Sequence, residues 1–112
     1  MTDMKDFPPE LHEIVGAIVR DYKPVRIVLF GSYARGEATP PHSDLDLLIV
    51  KEGARSDRRE SAKIRSCIRP WIGPHSFTIL PISPERLNQR LAMQEAFIGA
   101  VLQEGIELYA AN

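Results

Sequence analysis

Two aspartates one residue apart, preceded across a short loop by a glycine-serine pair, are the residues here best placed to do chemistry. Asp44 and Asp46 open Ser43-Asp44-Leu45-Asp46-Leu47-Leu48-Ile49-Val50, which reads as a strand. Side chains alternate across a strand, so Asp44 and Asp46 share one face while Leu45, Leu47 and Ile49 share the other. Neighbouring carboxylates repel, and they persist where they are solvated or where a cation sits between them. Oxygen-only ligands favour Mg²⁺ or Mn²⁺ over Zn²⁺.

The apolar run Val25 to Phe30 stops at Gly31-Ser32. Glycine lets the backbone approach a ligand, and a helix starting there would aim free N–H groups at an anion. Ser32 adds a hydroxyl donor. A phosphate cradle ending one strand and a carboxylate pair on the next is a layout for metal-assisted phosphoryl or nucleotidyl transfer.

The order Gly-Ser-x-Ala-Arg-Gly (Gly31 to Gly36), then Ser-Asp-x-Asp-Leu (Ser43 to Leu47), resembles the signature of the DNA polymerase β-like nucleotidyltransferase superfamily. The short chain is similar to its minimal nucleotidyltransferase (MNT) proteins, a likeness that spans nearly the whole sequence. The resemblance implies transfer of a nucleoside monophosphate, AMP from ATP, to a hydroxyl of a macromolecular acceptor with Mg²⁺ or Mn²⁺. It makes Asp44 and Asp46 the catalytic, metal-holding pair. Gly31, Ser32, Arg35 and Ser43 become the nucleotide-binding residues, although Arg35 could instead pair with a surface carboxylate. Many MNT proteins are antitoxins that silence a HEPN-domain RNase toxin by binding it and adenylylating a tyrosine. The implied partners are therefore an NTP and a HEPN-type toxin, with homo- or hetero-oligomers compatible.

Such transferases use a third carboxylate on a later strand. Counting back from the helix start at Ser83-Pro84, the matching position is Thr78, and Gly73 to Ser83 contains no Asp or Glu. A threonine hydroxyl can approach a metal but cannot act as a general base at neutral pH. Two readings follow: a two-aspartate transferase, or a catalytically impaired binding protein that neutralises its partner by contact alone.

The elements that must position these residues follow from periodicity. Leu11, Ile14, Val15, Ile18, Val19 and Tyr22 mark a helix starting near Pro9 or Glu10, and Val25 to Phe30 reads as a buried central strand. A short helix over Ser32 to Glu37 is ended by Gly36. Thr39-Pro40-Pro41-His42 forms a stiff loop. Asp57 with Glu60 resembles a capping box opening a helix to about Arg69, whose inward stripe is Ile64, Cys67, Ile68 and Trp71. Phe77 to Ile82 reads as a third strand. A helix then runs from Ser83-Pro84 to Gly105 with a break near Met93 to Glu95, and Ile106 to Tyr109 is a short last strand. The fold class is α/β (α+β), a polymerase β-like mixed sheet of three to five strands with helices packed mainly on one face. The expected core is Leu11, Ile14, Ile18, Ile27, Leu29, Leu47, Ile49, Ile64, Ile79, Leu87, Phe97 and Val101.

The 112 residues suit a single domain, 1–112, leaving nothing for a separate substrate-gripping domain, so a macromolecular acceptor must bring its own docking surface. A net charge of −1 disfavours general nucleic-acid binding, although Arg55, Arg58, Arg59, Lys63, Arg65 and Arg69 make one helix basic, and RNA is the weaker alternative partner. His12 and His42 read as exposed. The lone cysteine, Cys67, rules out an intrachain disulfide and suits a cytoplasmic protein, and the amino terminus lacks signal-peptide character. No membrane contact is expected.

Overall fold

A computed structural model describes residues 7–40 and 42–111; the amino-terminal stretch read for a signal peptide and Pro41 of the loop lie outside the described residues. The elements are α1 (Leu11–Tyr22), β1 (Arg26–Phe30), α2 (Gly31–Arg35), β2 (Leu45–Val50), α3 (Asp57–Cys67), β3 (Phe77–Ile82), α4 (Pro84–Ala92), α5 (Ala96–Glu104) and β4 (Ile106–Ala110). A 3-10 turn, Arg69–Trp71, follows α3. The sheet is mixed, in the order β3-β2-β1-β4. β1 runs antiparallel to both β2 and β4, whereas β2 and β3 are parallel, with α3 making the crossover that a parallel pair requires.

The central strands separate two cores by simple alternation. Ile27, Leu29, Leu45, Leu47 and Ile49 point into the larger one, against Leu11, Ile14 and Ile18 of α1, Tyr33 of α2 and Ile64 of α3. Each fully buried branched side chain there contributes about 1.5–3 kcal/mol of transfer free energy. Val28, Phe30, Leu48 and Val50 point the other way, onto Leu87, Ile98 and Val101 of α4 and α5. The weight of helix packing falls on one face, as expected, but α4 and α5 leave the second face far from bare.

Several local expectations are corrected. Phe97, expected in the core, is 51% exposed and meets Phe30 of the sheet in a T-shaped contact at 6.1 Å. Ile79 is half-buried, packed against the margin of the larger core. Gly105 ends α5 without left-handed backbone (φ −67°). It is glycine because a Cβ would run into Val28 and into the Val101 carbonyl, which receives the Gly105 N–H.

The Asp57–Glu60 capping box does not form. Ser56 caps α3, its hydroxyl accepting the Arg59 N–H at 3.4 Å. Glu60 instead turns inward, 5% exposed, and accepts a short hydrogen bond from the Tyr22 hydroxyl, with Lys63 Nζ 3.6 Å away. This buried bond pins α3 to α1. The Tyr22 hydroxyl holds the Glu60 carboxyl below its ordinary pKa, against burial, while burial and that same bond drive the Tyr22 pKa far upward. An acid depressed in the native state contributes stability above its unfolded pKa and loses it as pH falls through the native one. Glu60→Ala should cost about 1–3 kcal/mol in urea unfolding at neutral pH, because it strands the buried tyrosine hydroxyl; the difference from native protein should shrink in acid.

Candidate active site

β1 ends at Phe30, and the chain turns immediately into α2. The turn rests on Gly31, whose φ of +75° lies in the left-handed region that costs a non-glycine residue about 1–2 kcal/mol. Space is the stricter demand. A methyl group at Gly31 would overlap Asp46 Oδ2 and lie 2.9 Å from Asp46 Cγ. The Asp46 carboxylate is therefore seated against the bare Cα of Gly31, a contact set by the β1–β2 register that pairs Phe30 with Asp46.

On the other side of Asp46, the parallel register sets Thr78 beside it. Phe30, Asp46 and Thr78 thus form one row across three strands. Asp44 lies just ahead of β2, outside the strand expected to include it. Leu45 donates its N–H to the Ser76 carbonyl at 2.9 Å, which ties this end of β2 to the approach to β3. Asp44 is exposed and Asp46 half-buried. The Thr78 hydroxyl stands between them, donating to Asp44 Oδ2 at 3.4 Å and close enough to Asp46 to act on its carboxyl.

Burial is the strongest influence on Asp46 and raises its pKa above the ordinary carboxylate value. The Thr78 hydroxyl and the Arg35 charge work against it, while Asp44 and Glu104 add to it. A cation between the two aspartates would relieve this cost of charging. Among the described residues, no group of three or more His, Cys, Asp and Glu side chains could hold a metal. The available donors are two carboxylates and the Thr78 hydroxyl.

The other residues singled out by sequence are placed differently. Ser32 is half-buried in the first turn of α2, whose N-cap residue, Phe30, makes no side-chain cap. Arg35 is drawn sideways, onto Glu37 at 2.8 Å and Glu104 at 3.0 Å, so the surface ion pair weighed against a phosphate role is the contact present. The Ser43 hydroxyl accepts the Thr39 backbone N–H at 2.8 Å and so closes the loop that leads into Asp44. His42 and His12 are exposed. Glu104, at the end of α5, was not foreseen. Its charge reaches Asp46 and it restrains Arg35, and no local pattern could have revealed it because only the tertiary fold brings α5 beside α2.

Residues 11–103 match the nucleotidyltransferase domain family. The chain belongs to that family. A Methanocaldococcus jannaschii protein named "Putative protein adenylyltransferase MJ1305" is 33% identical over 79 residues, covering 70% of this chain and 53% of the relative. The chain thus spans about half the length of that curated relative. A crystal structure described as a "putative nucleotidyltransferase" shares the fold, with a TM-score of 0.51, 20% identity and coverage of 77% of this chain and 91% of its own. Nucleotidyltransferases of this family generally use an NTP and a divalent metal. Among the described residues, no helix is long and apolar enough to cross a membrane.

Two substitutions probe this geometry. Gly31→Ala should displace the Asp46 carboxylate and lower thermal stability by about 1–2 kcal/mol from the backbone alone, with any nucleotide-dependent activity lost. Asp46→Asn should raise the melting temperature near neutral pH. An acid whose pKa is raised in the native state destabilises it as pH climbs from the unfolded to the native value, so the gain should vanish in acid. Melting curves of both variants across pH would test these outcomes.

Proposed function

We propose that this protein is a Mg²⁺-dependent nucleotidyltransferase that moves AMP from ATP to a hydroxyl of a protein acceptor. The observation that carries the reading is the Asp46 carboxylate seated on Gly31, with Asp44 and Thr78 beside it: a glycine-serine turn and a carboxylate pair brought to one point. The oxygen-only donor set suits Mg²⁺, which commonly takes one or two protein carboxylates and leaves its other positions to phosphates and water. Asp44 and Asp46 would hold it, and when bound it neutralises triphosphate charge.

The remaining steps fall to the chain. The bare Cα of Gly31 is taken by Asp46, so phosphate contact falls to the Ser32 hydroxyl, which donates to a phosphate oxygen, and to the backbone of the Gly31-Ser32 turn. The acceptor oxygen attacks the α-phosphorus, the bond to the β-phosphate breaks, and pyrophosphate leaves. Thr78 cannot take the acceptor's proton, which is left to the Asp44–Asp46 pair or to solvent.

The name of the M. jannaschii relative supports a protein acceptor. The resemblance to MNT proteins supports a HEPN-type toxin as that acceptor, with this protein as a cytoplasmic antitoxin built as the single domain 1–112. A second reading is favoured by Thr78 and by the engagement of Arg35 with two glutamates: a transferase-fold protein that binds its partner without modifying it.

The deciding experiment is label transfer from α-labelled ATP in Mg²⁺ to a HEPN-domain protein encoded beside it, comparing native protein with Asp44→Asn. Transfer should fall by about 10²-fold or more in the variant if Asp44 helps stabilise the transition state. A stable complex with no transfer by native protein would replace the enzyme with the contact-only reading.

A further inference from the structure

A charged cavity of about 390 Å³ lies at the far end of the sheet from Asp44 and Asp46. β2 and β3 are parallel, so their starts frame Asp46 and Thr78 while their ends, at Val50 and Ile82, lead into this cavity. A strand of this length separates the two places by roughly 15–20 Å. Buried Pro81, Ile82 and Ser83 contribute to its lining. Arg55 and Arg58 come from the start of α3 and its approach, and Arg86 and Arg90 come from α4.

The charges around the cavity do not cancel. Arg90 is doubly bonded to Glu95, and Glu60 is taken by Tyr22 and Lys63. Asp57 is the remaining acidic group of the lining, and Glu95 also acts on Arg86 at longer range. Arg55, Arg58 and Arg86 have no ion pair among the described residues. Three unpaired guanidinium groups thus line one concavity in a molecule whose net charge is −1. All three are exposed, so an anion can reach them from solvent and meet several positive charges at once.

We propose that this cavity binds a compact polyphosphate, two or more linked phosphate groups, as in a nucleoside triphosphate or inorganic triphosphate. The guanidinium fork matches phosphate oxygens in pairs, and several such forks around one hollow suit several linked phosphates better than one. The volume falls within the range of small-ligand pockets, roughly 300–1,000 Å³. A hollow of this size selects a compact anion over an extended nucleic-acid backbone, which is followed by a continuous groove. Ser56 and Ser83 already cap α3 and α4, so recognition rests on the arginines. This site is separate from the transfer site and does not depend on the function proposed for it.

The test is calorimetric titration of the full chain with inorganic triphosphate in the presence of a chelator, which removes metal-dependent binding at Asp44 and Asp46. One equivalent should bind, more weakly as salt is added. Arg58→Gln/Arg86→Gln removes the two guanidinium groups and keeps a polar side chain of similar helix propensity, with folding checked by circular dichroism. It should weaken binding by about tenfold for each guanidinium removed. Arg69→Ala, on the turn after α3 and outside the cavity, should bind as native protein does. ATP binding alongside triphosphate, with adenosine inert, would place a nucleotide among the ligands; binding of triphosphate alone would point to free polyphosphate. Undiminished binding by the double variant would overturn the proposal. So would arginine-dependent binding of a single-stranded oligoribonucleotide with none of triphosphate.

Discussion

The contact on which the site depends is a carboxylate resting against a backbone with no side chain. Asp46 occupies the volume that any Cβ at Gly31 would claim. That one exclusion fixes the end of β1, the start of α2 and the direction of the Asp46 side chain together. It also explains why the site lies where a strand becomes a helix. Only there can backbone N–H groups and a carboxylate from the next strand meet without a side chain between them.

The sheet around this contact serves it by register. Antiparallel pairing sets Asp46 opposite Phe30, and parallel pairing sets it opposite Thr78. The two kinds of pairing in one sheet follow its two connections: α2 and a loop return the chain antiparallel from β1 to β2, while α3 carries it across to the parallel β3. Packing on both faces keeps these registers from slipping, since a shift by one residue would drive Asp46 into the larger core and Leu47 out of it. The buried Tyr22–Glu60 bond then ties the crossover helix to α1, the helix covering the same face.

The electrostatic design is divided between two ends of one sheet. Around Asp46 the carboxylates Asp44 and Glu104 act against its ionisation, with Arg35 shared between glutamates and only partly opposing them. At the other end, arginines from α3 and α4 outnumber the acids beside them. The near-zero total conceals this separation, because a sum over the sequence carries no information about position. An acidic end suits a cation and a basic end suits an anion.

Much of this was legible in the sequence because it depends on local rules. Alternation identified the central strands, helical spacing identified α1, the Ser83-Pro84 start identified α4, and the break before α5 fell where Gln94 takes a left-handed backbone (φ 55°). The pairing of the glycine-serine turn with the two aspartates was readable as a motif, since both parts lie within one short stretch. The position of Thr78 was reached by counting along a strand. Tertiary structure decided the rest. The inward turn of Glu60, the exposure of Phe97, the hold of Glu104 on Arg35 and the gathering of arginines from two helices all join residues distant in sequence. Periodicity reports which face of an element turns inward; what waits there is set by how the elements pack, and no local pattern encodes that partner.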